Sequence, residues 1–308
     1  MTTAKPVIVV GSLNVDLVVV AERFVTPGET MLGKSFRVVS GGKGANQAAA
    51  SARLGYPTQL FGRVGDDGFG SRLIGDLEAA GVDVSGVGSV PGSTGTALIT
   101  TVASGENSIV IVPGANGTIG PNDIDGWWPT IHEAGIVLAQ LEIPMDAVEH
   151  LAKLCAEASI PFMLDPAPAQ GLSAALLSKV AWLTPNESEV LALTGRDLIG
   201  AEEPALLKVA GHFLDLGVDG VVLKLGARGA YVATAKEQRW VRPFVVEAVD
   251  TTAAGDAFNG AFAASLLRLH DPFRAAQVAA AAAALSTTVP GAIPSMPSLQ
   301  QVEALLEV

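Results

Sequence analysis

In the stretch VDTTAAGDAFNG, Val249 to Gly260, two aspartates stand six residues apart around a Thr-Thr-Ala-Ala-Gly linker. The small residues Ala253, Ala254 and Gly255 leave backbone N–H groups uncovered just where an alanine-rich, apolar segment begins to read as helix. Such a nest can hold an anion and offset the charge that develops on a transferring phosphoryl group. Asp256 stands where that group would meet an alcohol, and a carboxylate there can accept the hydroxyl proton. A helix cap explains an aspartate at this place but not the Ala-Ala-Gly ahead of it.

Three other stretches carry candidate chemistry. In SGGKGANQAAA, Ser40 to Ala50, adjacent glycines let backbone approach a ligand closely, and the helix that follows offers free N–H groups. Asn46 both donates and accepts, which suits a sugar hydroxyl; a plain glycine turn is the alternative reading. LTPNESEV sets Asn186 and Glu189 three residues apart at a helix start, on one helical face. That pair can order water around Mg²⁺ or can simply form a capping box. LKLGARGAYV offers Gly226 and Gly229 beside a nucleotide, or the turn of a hairpin.

Other chemistries are excluded. No GxxxxGK[ST] loop occurs and no GxGxxG follows the first strand, against a Walker site and a dinucleotide fold. His132, His150, His212 and His270 are scattered without metal-ligand spacing. A net charge of −12 over 308 residues argues against a broad nucleic-acid surface. Cys155 is the one cysteine, so neither an intrachain disulfide nor a multi-cysteine metal cage can form. MTTAKPVIVV shows no secretory signal, and the apolar run Ala275 to Leu285 is too short to span a bilayer. A cytoplasmic protein without membrane or nucleic-acid partners is expected.

The elements that position these residues alternate. Apolar strands such as VIVV, IVLA and VVLK are each followed or preceded by a helical pattern, which predicts a parallel sheet covered on both faces. The alternation fails over residues 12–37 and 92–113, where β character recurs without helices and SGEN reads as a hairpin turn. These pieces predict a small β lid beside a large α/β domain of residues 1–11, 38–91 and 114–308. Arg23, Lys34 and Arg37 fall in the lid region and read as exposed charges. The six alanines Ala279–Ala284 predict a closely packed helix.

Taken together, GGKGANQAA, DTTAAGDAFNGAF, GSLNVD, PGET, GANGTI, AQLEIP, DPAPA and TPNESE resemble the ribokinase-like (PfkB-type) carbohydrate kinases over nearly the whole chain. The resemblance implies a three-layer α/β/α fold with a mainly parallel central sheet and a small β-sheet lid over the sugar. It implies transfer of phosphate from ATP to the primary hydroxyl of a pentose, D-ribose first, with another sugar or a nucleoside as the rival within the class. A sensor that keeps the fold without catalysis is the rival outside it, and a nicotinamide-dependent oxidoreductase a distant third. Asn14, Asp16, Gly42, Lys43, Asn46 and Glu142 match sugar-holding positions. Asp256 matches the base, and Ala253, Ala254 and Gly255 the anion hole. Asn186 and Glu189 match the pair that organises Mg²⁺, and Lys224, Leu225, Gly226, Ala227, Arg228 and Gly229 the ATP loop. Asp250, Thr252, Ser286, Val289, Gly291 and Ser295 match a monovalent-cation (K⁺) loop, ligating largely through backbone carbonyls. Ala280 stands where a His or Asn often meets adenine. A homodimer through the lid is a further expectation.

Overall fold

A computed structural model describes residues 4–104 and 106–307. Residues 1–3 of the amino-terminal run and Gly105 of the SGEN turn lie outside the described residues. The first seven strands are β1 (Val7–Val10), β2 (Asn14–Ala21), β3 (Ser35–Gly41), β4 (Thr58–Gly65), β5 (Asp83–Val90), β6 (Gly95–Val102) and β7 (Asn107–Val112). They are followed by β8 (Ile136–Ala139), β9 (Phe162–Leu164), β10 (Trp182–Leu183), β11 (Gly220–Lys224), β12 (Ala230–Thr234) and β13 (Gln238–Val241). The helices are α1 (Lys43–Arg53), α2 (Gly68–Ala79), α3 (Pro121–Ile131), α4 (Met145–Glu157), α5 (Ala174–Leu177), α6 (Glu187–Thr194), α7 (Glu203–Asp215), α8 (Ala254–Leu269), α9 (Pro272–Ser286) and α10 (Leu299–Leu306).

Nine strands form the main sheet in the order β13-β12-β11-β10-β9-β8-β1-β4-β5. From β11 to β5 neighbouring strands run parallel; β12 and β13 close the other edge antiparallel. β1 is VIVV with every residue at 0% exposure, because helices cover both of its faces and no polar alternation is needed. One apolar layer gathers α1, α8 and α9, the other α4 and α7. The alanine run lies in α9, where Ala279, Ala280, Ala281 and Ala282 are buried and α9 packs along α8. Cys155 is buried in α4, and burial pushes its thiol up to about 12, so it packs as a small apolar residue.

The remaining strands pair as a second sheet, β3-β2-β6-β7. β6 and β7 run antiparallel on either side of the SGEN turn, and Val102 N donates to Glu106 O at 3.0 Å. Pairing of β3 with β2 continues past residue 37 as far as Gly41, opposite Asn14. The small sheet therefore runs directly into the glycine turn that starts α1. No helix among the described residues is long and apolar enough to cross a membrane.

Candidate active site

Parallel strands deliver their carboxyl ends to one edge, and there the apolar runs give way to polar residues: buried Ser12 after β1, Gln140 after β8 and Asp165 after β9, and half-buried Lys224 closing β11. Two helices start above this edge. α1 begins at Gly42, whose φ of 93° and lack of a side chain allow the turn; a Cβ there would lie 2.6 Å from Asn14 N. α8 begins at Ala253, a non-glycine residue held left-handed at φ 59° with no side-chain cap. Backbone strain of that kind persists only where the surroundings enforce it; Ala254 N donates to Thr251 O at 3.3 Å, while no side chain caps the helix start.

Asp256, in the first turn of α8, is the hub. Asn46 Nδ2 donates to its Oδ2 at 2.9 Å, and Gln47 Nε2 donates to its Oδ1 at 3.0 Å. Gln47 Nε2 also donates to Asp165 Oδ2 at 2.8 Å, while Gln47 Oε1 accepts from Gln140 Nε2 at 2.8 Å. The two carboxylates thus dictate which way the Gln47 amide points, and Gln47 in turn orients Gln140. Lys224 Nζ donates to Asp165 Oδ1 at 2.9 Å in an ion pair whose side chains are 11% and 3% exposed. Burial raises the pKa of Asp256; Lys43 opposes that rise, Asp165 adds to it, and the Asn46 and Gln47 hydrogen bonds pull it back. The result is a desolvated carboxyl group held in place by two amide donors.

On one side of Asp256 lies a polar cleft. Glu142 Oε2 accepts from Ser12 Oγ at 2.6 Å, Lys43 N at 3.1 Å and Asn14 Nδ2 at 3.2 Å, and Asn116 Nδ2 fixes Asn14 Oδ1 at 2.8 Å. Burial, then the charges of Glu142 and Asp256, push Asp16 up to about 7. Burial alone would lower Lys43, yet Asp256, Asp165, Glu142 and Glu189 together raise it, so it stays an ammonium among carboxylates. Asn46 Oδ1 is buried without a hydrogen-bond partner, a free acceptor in a site built for donors.

On the other side the α8 N-terminus meets Lys224: a Cβ on Gly255 would stand 3.6 Å from Lys224 Nζ. A cavity of about 410 Å³ opens here, lined by Gly226, Ala227, Gly229, Val246 and Phe258, with Ala280 in its wall. Small residues leave room for a flat ring system. A neighbouring cleft carries Asn186, Ser188, Lys224 and Gly255. Two of the ATP-loop expectations are corrected. Arg228 turns away from both openings, donating to Glu187 Oε1 at 2.6 Å and Ala201 O at 2.7 Å against Trp240, because those acceptors lie behind the turn. Leu225 is 1% exposed and packs in the apolar core instead of the cavity wall. The turn itself is the hairpin between antiparallel β11 and β12, the second of the two readings of LKLGARGAYV.

Asn186 and Glu189 do form a capping box: Asn186 N donates to Glu189 Oε2 at 2.7 Å and Glu189 N to Asn186 Oδ1 at 2.8 Å. Burial raises the pKa of Glu189, Lys224 opposes it and Asp165 adds to it, so a negative cluster lies beside the Lys224 ammonium. A hydrated Mg²⁺ fits this donor set, since it keeps several waters and takes only one or two carboxylates. No group of three or more acidic, His or Cys residues placed to hold a metal ion exists among the described residues. At the cation loop, Val249 N and Asp250 N both donate to Thr287 O, and Gly291 N donates to Asp250 Oδ2 at 2.9 Å. Burial would raise Asp250, but hydrogen bonds from Thr252 and Gly291 hold it below its ordinary value. A carboxylate held against the Thr252 and Gly291 backbone in this loop fits a monovalent cation. The four histidines stand elsewhere, His150 against Asp125 and His132 against Glu133.

Gln47, Asp165, Gln140, Ser12 and Asn116 were not among the expected site residues. A signal existed: each of Ser12, Gln140 and Asp165 is a polar residue closely following a fully apolar strand.

The pattern of the pfkB family carbohydrate kinases matches residues 4–299. A Bacillus subtilis ribokinase is 40% identical, covering 98% of this chain and 99% of its own length. A Haemophilus influenzae ribokinase is 38% identical at 98% and 99% coverage. The solved Arabidopsis thaliana ribokinase complexed with ribose and ATP superposes with a TM-score of 0.92, at 36% identity over 99% of this chain and 100% of that one. With Asp256 buried between the polar side chains and the uncapped α8 N-terminus, these likenesses leave one assignment: the chain belongs to the pfkB family of carbohydrate kinases.

Proposed function

We propose that this chain transfers the γ-phosphoryl group of ATP to the primary hydroxyl of D-ribose, giving D-ribose 5-phosphate. The observation that carries the proposal is the position of Asp256, shared between a polar cleft and an anion-holding helix N-terminus. The solved relative complexed with ribose and ATP supports the choice of both substrates. The cleft side chains Asn14, Asp16, Lys43, Asn46 and Glu142 are amides, carboxylates and an ammonium, the groups that bind hydroxyls; an aromatic shelf for a nucleobase is not among them.

In this reading the cleft residues orient the sugar, and Asp256 takes the hydroxyl proton as the new P–O bond forms. The Ala253, Ala254 and Gly255 backbone and the Lys224 ammonium offset charge on the phosphates. Asn186 and Glu189 would hold Mg²⁺ through water, and the metal, when bound, supplies further charge neutralisation there. Asp250, Thr252, Ser286, Val289, Gly291 and Ser295 would hold K⁺ and brace the loop leading into α8. The small sheet, residues 12–37 and 92–113, would act as a lid that excludes water, a competing acceptor. Its apolar face would pair two copies as a homodimer. A lone buried thiol suits a reducing, cytoplasmic setting.

ADP release over a panel of pentoses, hexoses and nucleosides, with and without K⁺, tests the proposal. D-ribose should give the highest turnover and K⁺ should raise it. A nucleoside signal without a ribose signal would sink the ribose assignment, and silence across the panel would favour a sensor.

A further inference from the structure

Three of the 19 basic residues of a chain with net charge −12 meet at one cavity of about 380 Å³ that shares Gly291 with the candidate cation loop and no other named residue of the site above. Arg37 reaches it from β3, Arg53 from the end of α1 and Arg72 from α2, and residues Pro290 and Gly291 close the far wall. Its one carboxylate, Asp76, accepts from Ser40 Oγ at 2.5 Å and lies 3.8 Å from Arg72 Nε. Arg53 spends Nε on Met296 O at 3.3 Å, and Arg72 spends one terminal nitrogen on Val38 O at 2.8 Å. Arg37 makes no ion pair among the described residues. A guanidinium has five donors in a rigid fork, so most of the donors around this cavity are uncommitted.

Three guanidiniums face Asp76 in the lining and, through Arg37, the nearby Asp250 carboxylate, so positive charge still outnumbers negative and converges on a concavity at a cost unless an anion offsets it. The planar forks match tetrahedral phosphate oxygens, and the volume falls at the lower end of the range for small-molecule pockets. We propose that this cavity binds a small phosphate-bearing anion, either inorganic phosphate or a phosphate monoester. Its far wall is the segment whose Gly291 N–H donates to Asp250 at 2.9 Å, so an occupant would tie the small sheet and α2 to the loop that leads into α8.

Calorimetric titration at constant ionic strength tests the proposal on protein saturated with D-ribose and a non-hydrolysable ATP analogue. Inorganic phosphate is one arm and D-ribose 5-phosphate the other. Saturable binding of one equivalent is expected in at least one arm, and the arm that binds identifies the source of the phosphate group. Arg37→Gln and Arg72→Gln should each weaken it at least fivefold. Arg37 is exposed and unpaired among the described residues, so its replacement leaves the fold intact even where Arg72→Gln does not. Binding lost in Arg37→Gln belongs to this cavity whichever sugar the cleft holds. Absence of saturable binding in both arms, or affinity unchanged in Arg37→Gln, overturns the proposal.

Discussion

Asp256 is the proposed base, and Gln47 holds its carboxylate through a 3.0 Å hydrogen bond. Asp256→Asn should fold and bind sugar, yet lose about 10³-fold in turnover, the scale of a positioned general base. Stopped-flow sugar binding beside steady-state rates checks this, and retained turnover would remove Asp256 from the role. Gln47 acts through Asp256. Its hydrogen bond stabilises the carboxylate, so Gln47→Met should raise the pKa of the base. The acidic limb of the pH–rate profile then moves to higher pH while the KM for sugar changes little. A uniform loss of rate with an unmoved limb would make Gln47 merely structural. Asp16 gives a separate pH signature. Its folded pKa of about 7 lies above its ordinary 3.8, so its stabilising contribution is complete below about 3.8 and is lost as pH rises through about 7. Between about pH 5 and about pH 8 the apo protein should lose stability relative to Asp16→Asn. Urea midpoints of the two proteins measure that difference, and parallel midpoints would count against it.

Helices α1 and α8 set the distance between the residues of that network. Gly260 of α8 lies directly on α1: a Cβ there would stand 2.2 Å from Gln47 O and 2.7 Å from the Ala50 Cβ. Gly260→Ala must therefore push α8 off α1 and draw Asp256 away from Asn46 and Gln47. The expected cost is about 1–3 kcal/mol of stability, with turnover falling more than tenfold. Urea unfolding and kcat measured together decide it; a destabilised variant with full turnover would show that helix spacing does not place the base. The alternation of apolar strands and helices was legible at this scale, and so was the second sheet, because no helix intervenes between β2 and β3 or between β6 and β7. Other elements were not. β5, DVSGVGSV, is an edge strand whose glycines and serines carry no β signal, and α3 carries Pro129 inside it. Both are held by tertiary packing against β4 and α4, which local propensity does not register.

Across the whole molecule the small sheet is the least covered part. β7 is an edge strand with all six residues exposed, and Leu98 stands opposite Val110 with 47% and 58% exposure. An apolar sheet face with a free edge invites a partner. Sedimentation velocity at micromolar concentration should find a dimer, and Val110→Asp should shift it to monomer. A monomer in the unaltered protein would leave the face without a second copy.

By itself the sequence determined the chemistry on offer. Small residues before an aspartate, paired glycines before an asparagine, and strict alternation of apolar strands with helices are local patterns, and local patterns survive without coordinates. Only the tertiary structure decided how the chemistry is wired. Gln47 meets Asp256 across 209 positions and Lys224 meets Asp165 across 59, and no local spacing encodes such contacts. It also showed that Arg228 faces away from the cavity beside Gly226 and that Asn186 and Glu189 cap a helix. The physical reason is common to these cases. A side chain's role depends on which acceptors and charges surround it once distant strands deliver their ends to one edge of the sheet.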